Sequence, residues 1–177
     1  MKKTITIALM IVSFIVIYIM QANFFSWFTI GGIKPNLFII FVLFISLFAG
    51  MKIGIPFGII TGLYLDIVIG KRIGTSAIML GIIGFIGGYF DKNFSKESRF
   101  TIMLMVMGCT CIYEIGYYIL QTAQLSINVE ILTFIKILIV EVIYNTILTI
   151  ILYPLIQKLG YKIEDIFKGQ KVLTRYF

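Results

Sequence analysis

Apolar runs long enough to cross a bilayer follow one another along almost the whole chain, and no hydrophilic stretch between them is long enough to fold alone. A helix rises about 1.5 Å per residue and the hydrocarbon core is about 30 Å thick, so runs near or above about 18 residues read as spanning helices. A soluble domain of 177 residues that is 60% hydrophobic and 13% charged could not cover its own surface with polar groups. The fold class is therefore an all-α integral membrane protein, a compact bundle in one membrane domain.

Six spans are expected: Thr4 to Met20, Asn36 to Gly50, Ile53 to Ile69, Ile73 to Phe90, Phe100 to Leu120 and Ile131 to Tyr153. Pro35 suits a helix start, where its missing N–H is not needed, and Pro154 is expected to close the last span. Fusing the second and third runs gives a five-span alternative. Lys2, Lys3, Lys52, Lys92, Lys96, Arg99, Lys158, Lys162, Lys168, Lys171 and Arg175 would lie on the side of both termini, eleven in all. Only Lys34, Lys71 and Arg72, three residues, would lie opposite. By the positive-inside rule both termini are cytoplasmic, in a multi-pass membrane protein. Residues 1–156 form the membrane domain. Residues 157–177 form a basic tail, either frayed or an amphipathic helix on the cytoplasmic leaflet, with Leu159, Ile163, Ile166 and Phe167 on one face.

Several functions drop out. The net charge of +7 sits in loops and tail, where it meets anionic lipid; no basic groove or motif speaks for nucleic acid. There is no histidine, and Cys109 and Cys111, two apart on a helix, point nearly opposite ways and cannot share a metal. The turn Gly70-Lys71-Arg72-Ile73-Gly74 lacks the Walker pattern. No nucleophile–base pair is visible, so no enzyme and no cofactor is expected. The N-terminal run is too long for a signal-peptide core and lacks a small-residue cleavage site, so it reads as a first spanning helix. Trp27 with Phe24, Phe25 and Phe28 fits an outer aromatic belt.

Within the third run Gly50, Gly54, Gly58 and Gly62 recur every four residues and lead to Asp66. Four-residue spacing lines one helical face, and a face without side chains lets a second helix approach to backbone contact. These glycines, with Gly84 and Gly88 in the next span, are the candidate packing or partner-docking residues. Leucine at Gly58 or Gly62 should disrupt that contact, whereas leucine at Gly31 or Gly32 should be mild. Asp66, about three residues from the outer end, is expected to hydrogen-bond in the following turn, with Lys71 or Arg72 as partners. Its Asn variant should largely preserve that role.

Deeper polar residues form an intramembrane cluster of Glu114, Tyr117, Lys136, Glu141, Tyr144 and Asn145. Glu114 shares a face with Thr110, Tyr117, Tyr118 and Gln121; Glu141 shares one with Tyr144, Asn145 and Thr149. At about 1.5 Å per residue, Glu114 and Lys136 each lie roughly 8 Å deep and can meet across helices, while Glu141 is near the midplane. Such groups either line a small-molecule or proton site or fix packing through interhelical hydrogen bonds.

Pro35-Asn36-Leu37 opening a helix, the glycine ladder, Gly62-Leu63-Tyr64-Leu65-Asp66, Gly70 and Gly74, and later Asn145 and Leu152-Tyr153-Pro154-Leu155, together resemble the rod-shape-determining MreD family over essentially the whole chain. Asn36 departs from the family, which more often has Asp there. The resemblance implies a non-enzymatic scaffold of the bacterial cell-elongation complex. Such a protein binds MreC and links the MreB filament to the wall synthases RodA and a class B penicillin-binding transpeptidase. The family is similar in fold to the substrate-binding S-components of energy-coupling-factor vitamin transporters, which supplies an alternative function. Against that alternative, the first span carries no AxxxA docking patch, with Ala8 followed by Val12.

Overall fold

The computed structural model describes residues 2–69, 73–94, 96, 98–125 and 130–168, and every extended element among them is helical. Helix α1 (Lys2–Ile19) passes through a π-helical turn (Met20–Phe24) into the short α2 (Phe25–Trp27). Then follow α3 (Leu37–Ala49), α4 (Met51–Ile69), α5 (Thr75–Asn93), α6 (Arg99–Leu125) and α7 (Ile131–Lys168). Among the described residues, four segments are long and apolar enough to cross a membrane: Ile7–Trp27, Met51–Val68, Arg99–Ala123 and Ile131–Lys168. Helix α5 is less apolar and α3 is short.

The short helix is the centre. All of α3 except Phe41 is buried, and α4, α5, α6 and α7 surround it. Its sequence explains the position: only Ser46 is polar, and a helix apolar on every side settles where protein covers every side. Gly50, with φ +87°, turns the chain directly from α3 into α4. That backbone conformation favours glycine and makes Gly50 a turn residue rather than a rung of the packing face.

The remaining rungs lie against α5, which runs antiparallel to α4. A Cβ at Gly58 would fall on the backbone of Leu80, and one at Gly62 on the backbone of Ser76 and Ala77. From the other side, a Cβ at Gly84 would strike the Gly54 carbonyl, and one at Gly88 would strike Met51. Each step of four along α4 thus meets a step of four back along α5, and the two backbones touch along the whole face. Ser46 of α3 closes the join, its hydroxyl donating to the Gly84 carbonyl. The ladder is spent inside the bundle, so these glycines are covered by α5. The outer side of the pair is an open apolar groove of 430 Å³ lined by residues such as Ile55, Ile59, Ile78 and Phe85.

Helix α7 does not end near Pro154. It runs through that residue to Lys168, 38 residues or about 57 Å, longer than a bilayer core is thick. Pro154 is exposed, so the lost backbone hydrogen bond falls on the outer side of the helix. Beyond it, Gly160 is buried against the Phe48 ring, where a Cβ would collide, and Ile163 and Phe167 pack on Ile45 and Ala49. The face of Gly160, Ile163 and Phe167 therefore lies against the bundle, while Leu159 is exposed. Residues 169–177 are outside the described residues.

Candidate functional site

Helix α3 begins inside the bundle, so its first N–H groups need partners that water would otherwise supply. They come from distant helices. The Asn36 N–H donates to Asn145 Oδ1 at 2.8 Å, and the Leu37 N–H donates to Gln21 Oε1 at 3.1 Å. Gln21 Nε2 in turn donates to the Pro35 carbonyl at 2.6 Å. Asn145 is fully buried; its Nδ2 donates to Thr110 Oγ1 at 3.1 Å, and its carbonyl accepts from Thr149 Oγ1 at 2.7 Å. Pro35-Asn36-Leu37 and Asn145, 109 residues apart from Asn36, thus form one joint between α3, α6 and α7.

Beside this joint stand two acids. Glu114 of α6 and Glu141 of α7 stand close to each other, and Asn36 is close to Glu141. Glu141 is 6% exposed, and its Oε1 has no hydrogen-bond partner. The expected Glu114–Lys136 contact does not form. Lys136 is exposed and lies near Gly31 instead, because its face of α7 turns away from the one that carries Glu141. Tyr144, half-buried, donates its hydroxyl to the Phe28 carbonyl at 2.6 Å and ties α7 to the end of α2.

Asp66 is buried and caps the next helix. Its carboxylate accepts from the Gly74 N–H at 2.8 Å, the Ser76 N–H at 3.1 Å and the Ala77 N–H at 3.3 Å. The positive end of the α5 dipole favours the same charge. Lys71 and Arg72 lie outside the described residues. Ser76 carries the polar band onward: its hydroxyl bonds Tyr113, which stacks on Tyr117 with centroids 5.8 Å apart. Asp66 therefore completes the α4–α5 seam.

The opposite end of the bundle holds a cluster that sequence reading did not single out. Lys96 pairs with Asp91 at 2.5 Å and with Glu164 at 2.8 Å. Lys168 pairs with Asp91 at 2.6 Å and with Glu164 at 3.4 Å. These alternating charges clamp the end of α5 and the turn after it to the end of α7. Burial alone would lower the Lys96 pKa, but hydrogen bonds to Asp91 and Glu164 outweigh it and hold the ammonium above its ordinary value. For Lys168 burial prevails and the pKa is lowered. Both lysines belong to the eleven basic residues on the side of the termini, and no sequence spacing links residue 91 to residue 164.

Among the described residues no group of three or more acids, cysteines or histidines is placed to hold a metal. Compared with known proteins, the chain matches a family model, described as rod shape-determining protein MreD, over residues 1–163. No curated protein and no solved structure matches it.

Proposed function

The chain belongs to the MreD family of rod shape-determining proteins, and from that premise we propose that it is a non-enzymatic membrane scaffold of the bacterial cell-elongation complex. The match over residues 1–163 carries this reading. In it, MreC binds directly, and MreB, RodA and a class B penicillin-binding transpeptidase join the same complex. The geometry is consistent with a scaffold. The polar residues behind the resemblance join helices: Asn36 and Asn145 bond each other, and Asp66 caps α5.

The same reading makes the protein a bundle of six spans in the bacterial cytoplasmic membrane, with both termini cytoplasmic. Four long apolar helices support it, with α3 and α5 completing an even number of crossings. The eleven-to-three distribution of Lys and Arg supports the orientation. The clamp of Asp91, Lys96, Glu164 and Lys168 then lies at the cytoplasmic end.

The deep acids keep a second reading in play, a substrate-binding S-component of a vitamin transporter, since a small-molecule site needs convergent buried polar groups. Affinity purification of the full chain from detergent, followed by mass spectrometry, separates the two. MreC and the wall synthases are expected to co-purify. Recovery of an energy-coupling ATPase module without them would replace the scaffold reading with the transporter.

A further inference from the structure

The close join of α4 and α5 leaves a groove on the outer side of the pair. Because the two backbones touch, Ala77 and Gly81 form a buried floor, and the side chains that flank the join stand up as walls. Ile59 is exposed on the α4 side, and Ile78, Ile82 and Phe85 are exposed on the α5 side. The groove holds 430 Å³, and no charged or hydroxyl-bearing residue lines it.

Both walls continue past the groove to a lysine. On α5, Ile78, Ile82, Phe85, Tyr89 and Lys92 recur at steps of four, three, four and three, which is one helical stripe. On α4, Ile59, Ile55 and Lys52 recur at steps of four and three. The antiparallel register brings the two lysines to the same end: Met51 lies against Gly88, Lys52 follows Met51, and Lys92 is one turn beyond Gly88. Both lysines and Tyr89 are exposed, and neither lysine enters an ion pair among the described residues. The mouth of the groove is therefore cationic, while its length is apolar. An occupant must match both, with an anionic head at the lysines and an apolar body along the walls. From Lys92 to Ile78 along α5 is about 21 Å. One leaflet contributes about half of a hydrocarbon core about 30 Å thick. A lipid whose phosphate sits at Lys92 can thus lay a chain past Phe85 and Ile82 within its own leaflet.

We propose that this groove is a site for one anionic phospholipid, with an acyl chain between the α4 and α5 walls and the phosphate held by Lys52 and Lys92. A lysine stem lies along apolar surface while its ammonium reaches the phosphate layer, and a tyrosine beside it keeps its ring at the same interface. Basic sites between spanning helices recognise anionic headgroups in this way. That the lipid comes from the cytoplasmic leaflet rests on the proposed orientation; the site itself does not.

The experiment is native mass spectrometry of the purified full chain in mild detergent, titrated with dioleoyl phosphatidylglycerol or dioleoyl phosphatidylcholine. The two lipids share their chains and differ in charge. The first phosphatidylglycerol is expected to bind saturably and roughly 25-fold more tightly, since each lysine near an anionic headgroup is worth about fivefold. Lys52→Gln with Lys92→Gln should bring phosphatidylglycerol down to the phosphatidylcholine level. Lys158→Gln with Lys162→Gln removes the same charge from exposed positions on α7 and should leave the preference intact. Equal affinity for the two lipids in the unaltered chain would overturn the site, as would a preference that survives the first pair of substitutions or is lost equally in the second. Glycerol 3-phosphate carries the phosphate without the chains and should not displace the lipid at equal concentration. Displacement would assign the lysines to a free anion and overturn the groove. Dimers that exclude lipid would give the groove to a second copy of the chain and overturn it too. The comparison of lipids on the unaltered chain needs no variant to fold. It does not depend on MreC binding, so its failure leaves the scaffold reading standing.

Discussion

At the scale of single residues, the structure turns polar side chains into joints. Asn145→Leu removes the acceptor for the Asn36 N–H and the donor to Thr110. It should cost roughly 1–3 kcal/mol, seen as a lower unfolding midpoint in detergent. Asn36 was legible as a departure from the family, but its meaning was not. Here it stands beside Glu141, so Asn36→Asp would place a third carboxyl near Glu114 and Glu141. That variant should unfold at a lower temperature than the native chain, and the deficit should shrink as the pH falls and the added acid is protonated. For Asp66 the structure revises the expectation. Three N–H groups point at its carboxylate, and an Asn amide would turn a donor toward one of them. Asp66→Asn should therefore lose about 1–2 kcal/mol, and Asp66→Leu roughly 3 kcal/mol. Cell width in a complemented depletion strain should follow the same order. An Asn variant indistinguishable from the native chain would contradict the capping geometry.

At the scale of elements, periodicity revealed what repeats and missed what is remote. The four-residue glycine spacing marked the α4 face because helical neighbours recur at that interval. It could not say that Gly50 is the turn, since φ is not visible in a spacing. Leucine at Gly58 or Gly62 should cost about 3 kcal/mol or more by driving α4 from α5, with loss of folded yield on size exclusion. Gly31 and Gly32 are unsuitable controls, because their φ values of +62° and +80° make any side chain strained. Gly108 has open space at its Cβ, and leucine there should leave the yield unchanged. The course of α7 beyond Pro154 was hidden because its partners, Phe48 and Asp91, lie far back in the chain. Asp91→Asn should lower stability by roughly 1–2 kcal/mol, since it leaves Lys96 and Lys168 with one shared acid. The Lys96 contribution is complete below the ordinary lysine pKa of 10.5 and is lost as the pH climbs above it. Lys168, lowered by burial, acts in the opposite sense and below 10.5: its unfavourable contribution fades as the pH climbs from its lowered pKa to the ordinary value.

At the scale of the whole molecule, composition was enough for the membrane class, because no packing scheme hides so much apolar surface from water. The number of crossings was harder to read, since α3 is too short to span alone and belongs in the membrane only when its neighbours enclose it. Cysteines introduced at positions 2, 95 and 170 should label from the cytoplasm, and those at positions 32 and 126 from outside. External labelling at position 170 would refute the proposed orientation. The joint at the head of α3 also bears on biogenesis. During synthesis the ribosome delivers Asn36 long before Asn145, and until α7 emerges the Asn36 amide has no acceptor in the bundle. The joint at the head of the central helix therefore closes only once α7 is in place, although α3 itself is made early.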